Sequence, residues 1–169
     1  MTESEQEQLM IPSDHFVRFY NEVFKFLDER DGLTEYYEEI SRHQEHHCLE
    51  LFTRQGLAGV YEYYVKIRKE ENCDLEMEFR DGGLRLYMRK CPSLSKVIDN
   101  DAGVCRKYCD HCPGWTMPLY RKANLYQIFD MMDRSVPQCE EWVFADLDLA
   151  RAKLQQYSDR TNVFWNWQD

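Results

Sequence analysis

The sequence predicts an α+β fold: N-terminal helices, then two β-hairpins forming an antiparallel sheet, with a cysteine-bearing helix between them. Three observations carry that prediction. Apolar residues recur at helical spacing from Phe16 to about Glu70. The period then switches to two, with Leu75, Met77 and Phe79 answered by Leu84, Leu86 and Met88 across Asp81-Gly82-Gly83. A second alternating pair, 124–132 and 139–145, surrounds Asp133-Arg134-Ser135-Val136-Pro137.

Taken in order, residues 1–11 read as a flexible acidic tail and 12–169 as one α+β domain. Ser13 or Asp14 can cap a helix running to about Arg30, where Asp31-Gly32 breaks it. A second helix, Thr34 to Gln55, carries Tyr37, Ile40, His47 and Leu51 on one stripe. Gly56 permits a turn into a third, Leu57 to Glu70. In the first hairpin, Glu76 and Glu78 should face Arg85 and Arg89 across the strands. Cys91-Pro92 closes it, and a short helix follows at Ser93–Ile98. Asp99-Asn100-Asp101 offers caps for the cysteine helix, which Pro113-Gly114 should end or kink. A last helix covers Leu147–Tyr157. The tail Val163-Phe164-Trp165-Asn166-Trp167 is too aromatic for a free linker and should dock on the body or on a second copy, giving a homodimer.

Composition bounds the function. A 43% hydrophobic and 14% aromatic chain of 169 residues can bury a real core. The formal charge of −10 repels phosphate backbones, so no nucleic-acid partner is expected. No apolar run approaches the ~18 residues of a membrane span, so no membrane partner is expected either. The acidic N-terminus is unlike a secretory signal, which points to the cytoplasm and to reduced thiols.

The chemistry is expected from cysteines. Cys105, Cys109 and Cys112 stand at offsets of four and three, which stack on one face of a helix, and Cys91 precedes them. Four thiolates could hold Zn²⁺ or an iron–sulfur cluster, with Cys91, Cys105, Cys109 and Cys112 as ligands. Against this, three thiols on a straight helix spread over ~10 Å of axis, too far for one ion unless Cys112 curls inward. The spacing is not that of a zinc ribbon, and too little chain follows Cys112 for a radical S-adenosylmethionine fold. The second reading is a nucleophilic or general-acid cysteine. His47, at i+4 from His43, is the candidate base, since His111 points away from Cys109. The plain alternative is that cysteines pack as small hydrophobes, the better reading for Cys48 and Cys73.

From Leu84 onward the order of signals resembles the family of L-2-amino-thiazoline-4-carboxylate hydrolases. The matching pieces are Met88-Arg89-Lys90-Cys91-Pro92, then Cys105 and Tyr108-Cys109-Asp110, then Val136-Pro137-Gln138-Cys139-Glu140-Glu141-Trp142. The layout is also similar to four-vinyl-reductase-type small-molecule-binding domains. Cys112, with His111 and Pro113-Gly114-Trp115, departs from the family pattern. The resemblance implies a hydrolase acting on a C–N or C–S bond of a small substrate. Cys91, Cys109 and Cys139 would line its site with His47 as base, and Arg89 and Tyr108 would bind substrate, Arg89 through a carboxylate. The alternative is a zinc- or cluster-binding sensor without turnover.

Overall fold

A computed structural model describes residues 14–99 and 103–168, without the side chains of Asp14, His15 and His46. The acidic tail, the caps expected at Ser13 or Asp14 and those at Asn100 and Asp101 lie outside what is described.

The helical half follows the apolar periodicity. Helix α1 (Asp14–Asp28) buries Val17, Asn21 and Phe24 on one stripe. Helix α2 (Leu33–Gln44) runs into a π-helical turn, Glu45–Leu49, and on into α3 (Glu50–Gln55); α4 (Leu57–Glu70) follows across Gly56. The π turn was not anticipated. Its wider ring takes up an additional residue, and the buried positions fall on Cys48 and Phe52, one later than His47 and Leu51.

Five strands form one antiparallel sheet in the order β1-β2-β4-β3-β5. The expected hairpins are β1 (Asp74–Arg80) with β2 (Gly83–Lys90), and β3 (Tyr126–Asp130) with β4 (Cys139–Phe144). Asp81 and Gly82 both take positive φ, as a two-residue hairpin turn requires. Glu78 lies opposite Arg85 and pairs with it at 3.1 Å, and Arg89 pairs with Glu76, as the strand pattern predicted. The aromatic tail supplies β5 (Val163–Trp165), which pairs with β3 and so docks on its own body.

The sheet has two unlike faces. Leu75, Leu84, Leu86 and Val143 pack with Phe52 of α3, Val60 of α4 and Leu119 and Tyr120 of α6 (His111–Lys122). On the other face Ile128, Trp142 and Phe144 meet Ala150 and Leu154 of α7 (Leu147–Leu154) and Val163 of the tail. A smaller core joins α1 and α2 to α5 (Pro92–Ile98) and to the loop carrying Cys105 and Tyr108.

One element departs from expectation in a way that matters. No single helix carries Cys105, Cys109 and Cys112. Cys105 lies in irregular chain, Tyr108–Asp110 forms a 3₁₀ turn, and α6 begins at His111 and runs to Lys122. Pro113 therefore starts the helix. Within the first turn its missing N–H has no intrahelical partner to lose, so proline is tolerated there. Gly114 lets α6 approach α2: a Cβ there would sit 2.6 Å from the Tyr37 ring.

Candidate functional site

The break at Tyr108–Asp110 rearranges the thiols. Cys105 is buried in the α1–α2–α5 core, and its backbone N–H donates to Asn21 Oδ1 at 2.8 Å. It is thus separated from the ligand set in which the spacing placed it. Cys91, Cys109, Cys112 and Cys139 instead line one small void of about 30 Å³, together with Met131 and Phe129. Each arrives from a different element: the N-cap of α5, the 3₁₀ turn, the first turn of α6 and the start of β4. All seven cysteines are free thiols. Among the described residues, no group of three or more His, Cys, Asp or Glu side chains stands in an arrangement that holds a metal ion.

The larger feature lies on the other side of Cys91, Cys112 and Cys139. These three also line a pocket of about 300 Å³ between α4, the sheet and α6, whose lining is mostly apolar. Its walls are Tyr63, Tyr64, Leu86, Met88, Trp115 and Phe129, and its polar groups include His111, Ser93, Thr116, Glu71 and Glu141. A concave, largely apolar space with a few convergent polar groups is the usual form of a small-molecule site.

Two of those groups are not among the candidate site residues of the sequence: His111 was set aside as pointing away from Cys109, and Glu141 stood only within the Cys139 motif. His111 is half-buried, and its Nδ1 is held by the Tyr108 carbonyl, which fixes the proton on Nδ1. Nε2 is then the acceptor, and it lies 3.3 Å from Cys112 Sγ. Burial holds the imidazole pKa down and the Cys112 thiol up, to about 12, with Glu141 adding to the latter. The resting pair is therefore neutral, S–H against N.

The second group is Glu141. It is 5% exposed and accepts from Tyr64 Oη at 3.0 Å and from Gln127 Nε2 at 2.7 Å. The Tyr120 hydroxyl has no hydrogen-bond partner of ordinary geometry but lies close enough to Glu141 for each to affect the other's ionisation. Burial without a cation pushes the carboxyl up to about 7. Gln127 is itself fixed: its backbone N–H donates to Asn166 Oδ1, and its Nε2 also reaches Thr116 Oγ1, which donates to the Cys112 carbonyl. A chain of hydrogen bonds thus ties Glu141 to the turn that carries Cys112. The signal was available in the alternation of β4, which puts Cys139, Glu141 and Val143 on one face.

The other thiols are no more activated. Burial raises Cys91 to about 11 and Cys109 to about 12, in both cases with Cys112 adding to the rise, and lifts Cys139 well above its ordinary value. Cys91 caps α5, accepting from Leu94 N at 3.4 Å, yet burial outweighs that contact.

The remaining expected residues stand elsewhere. His47 is exposed and lines a polar surface groove with Glu62, Lys66 and Glu70. Arg89, paired with Glu76, lines a groove along β1. Tyr108 is buried with its hydroxyl 2.6 Å from Ser93 Oγ, facing the small void. The structure brings none of the three to the larger pocket. No helix among the described residues is long and apolar enough to cross a membrane.

What fold and site define is an α+β protein with a thiol-lined pocket that also carries a buried carboxyl. Set against family models, curated proteins and solved structures, the chain matches none. The likeness to thiazoline-carboxylate hydrolases is one of motif order alone.

Proposed function

We propose that the chain is a small-molecule enzyme of the hydrolase type, opening a C–N or C–S bond within the α4–sheet–α6 pocket. One observation carries this reading: Cys112 Sγ, 3.3 Å from a tautomerically fixed His111 Nε2, shares the pocket with the protonatable Glu141. The nucleophile is thus Cys112, where the motif order suggested one of Cys91, Cys109 and Cys139.

The chemistry runs in two steps. As Cys112 Sγ bonds to the electrophilic carbon of the substrate, its proton passes to His111 Nε2. The imidazolium returns that proton to the departing nitrogen or sulfur as that bond breaks, which leaves His111 neutral again. Water then adds to the thioester-like carbon with His111 as base, and the Cys112 thiol leaves with a proton. Dry surroundings keep the pair neutral until substrate enters, so the thiol is spared between turnovers.

Turnover of small thiazolines, thioesters and amides tests the assignment. Cys112→Ser should remove activity by at least ~10³-fold while Cys109→Ser keeps most of it. A Cys112→Ser protein with unchanged rates rules the assignment out. A second reading, a zinc or iron–sulfur sensor, is favoured by the void that Cys91, Cys109, Cys112 and Cys139 line together. It takes Cys139 in place of Cys105 and requires these side chains to turn toward one point. Anaerobic purification with elemental analysis separates the two, since a stoichiometric metal retained by the wild type and lost in Cys139→Ser favours the sensor.

A further inference from the structure

Resting on the reading of this pocket as a ligand site, the charges on its walls narrow what can enter. Among the described residues that line it there is no lysine or arginine, and the ionisable carboxyls are Glu71, partly exposed, and Glu141, buried. The cation expected to hold a substrate carboxylate, Arg89, is spent on Glu76 outside the pocket. An anion would enter against two carboxyls with nothing to offset its lost hydration, which is costly in a dry site.

Glu141 points the other way. Each carboxyl oxygen accepts one hydrogen bond from a neutral donor, Tyr64 or Gln127, which leaves lone pairs unused. No cation faces it. From α4 the titratable neighbour is Tyr64, from α6 Cys112 and Tyr120, and from its own strand Cys139; all are neutral or anionic groups. Across the sheet it stands opposite Leu86 and Phe129. The aromatic rings of Tyr63, Tyr64 and Trp115 in the same pocket offer π faces that attract cations and repel anions. A buried carboxyl with neutral donors, spare acceptor capacity and no counter-ion is a half-built ion pair whose other half would come with the ligand.

We propose that the pocket selects a compact, otherwise apolar ligand bearing one protonated amine nitrogen, and that Glu141 is the residue that receives it. The substrate class is then an amine-bearing C–N or C–S compound, in contrast to the carboxylate that the motif order implied.

Calorimetric titration of the full chain with phenethylamine, phenethyl alcohol and phenylacetate, which share a ring and differ in charge, tests this. The amine should bind at least tenfold more tightly than the alcohol at pH 8, and the anion most weakly. Glu141→Gln should erase the amine's preference, a loss of tenfold to a hundredfold, and leave the alcohol's affinity in place. Phenylacetate binding as tightly as the amine, or a preference that persists in Glu141→Gln, overturns the proposal. If none of the three binds or shields Cys112 from alkylation, the pocket is not a ligand site and both readings fall. If the amine preference holds but amine-bearing thioesters and amides are not turned over, the hydrolase reading fails and the charge selection stands.

Discussion

Glu140 and Glu141 are neighbours on one strand, and the sheet sends them into opposite worlds. Glu140 faces the α7 side, where Arg85 Nε lies 2.6 Å away and Tyr157 Oη donates at 3.2 Å. Burial raises its pKa, but the nearby Trp142 indole and the Arg85 guanidinium lower it further, and the carboxylate ends below its ordinary value. Glu141 faces the pocket with neutral donors only and ends at about 7. Both carboxyls are hydrogen-bonded; the counter-charge is the difference. A fold that places Arg85 beside one carboxyl leaves its neighbour without a cation among the described residues, the asymmetry on which the proposed role of Glu141 rests.

The largest test of that contrast uses the thiol beside Glu141. With pKa values of about 12, Cys112 and Cys109 should react with iodoacetamide at pH 7.5 on the order of a hundredfold more slowly than an exposed cysteine. Mass spectrometry of partially alkylated protein reads each site separately. Glu141→Gln should speed Cys112 and Cys139 more than Cys109, because Glu141 adds to the effect of burial at the first two. Alkylation of Cys112 in the wild type as fast as that of free cysteine would contradict the neutral pair.

Next in size is the cost of keeping Glu141 charged. The folded protein holds this proton more tightly than the unfolded chain, whose carboxyl titrates near 4.5. The associated stability is complete below about pH 4.5 and is lost as pH rises through about 7, to a total on the order of 3 kcal/mol. Glu141→Gln, which keeps the shape, should therefore raise the denaturation midpoint at pH 8 and leave it nearly unchanged at pH 4.5. A gain of the same size at both pH values would place its origin in packing and not in charge.

The sequence made much of this fold legible and little of the site. The hairpins were readable because period-two alternation and Asp81-Gly82 are local signals, and the Arg85–Glu78 pairing followed from register. The π turn was not, since nothing in Glu45–Leu49 marks an added residue in the helix. The cysteines misled for a specific reason. Offsets of four and three describe a helix face only where a helix exists, and Pro113, read as a stop, is a start. With α6 beginning at His111, Cys105 falls into another core and Cys139, far along the chain, takes its place beside the others. His111 was judged against Cys109, when its partner is the next residue, Cys112. Contacts of that kind depend on where one turn begins, and spacing alone does not carry that information.

The smallest effect lies on the opposite face and completes the contrast. Arg85 and Glu140 are each about four-fifths buried by side chain, so their ion pair is shielded more than a surface pair, and Arg85 also reaches Glu78. Replacing Arg85 with Met keeps the packed stem and strands Glu140 with Tyr157 as its remaining hydrogen-bond donor. The cost at pH 7 should be about 1 kcal/mol, above a typical surface pair and below a fully buried one. Because the folded Glu140 pKa is depressed, its contribution is present above about pH 4.5 and is lost as pH falls through the folded value, so the Arg85→Met deficit should shrink in acid. Chemical denaturation at neutral pH and in acid measures it. The opposite trend to Glu141→Gln is the point: one variant weakens the fold at neutral pH by stranding a charge, the other strengthens it by removing one. The two changes sit on opposite faces with no shared hydrogen-bond partner, so their effects should add within about 0.5 kcal/mol in the double variant. Strong coupling between them would mean that the sheet does not insulate the pocket from Arg85, and the contrast between the two carboxyls would need another cause.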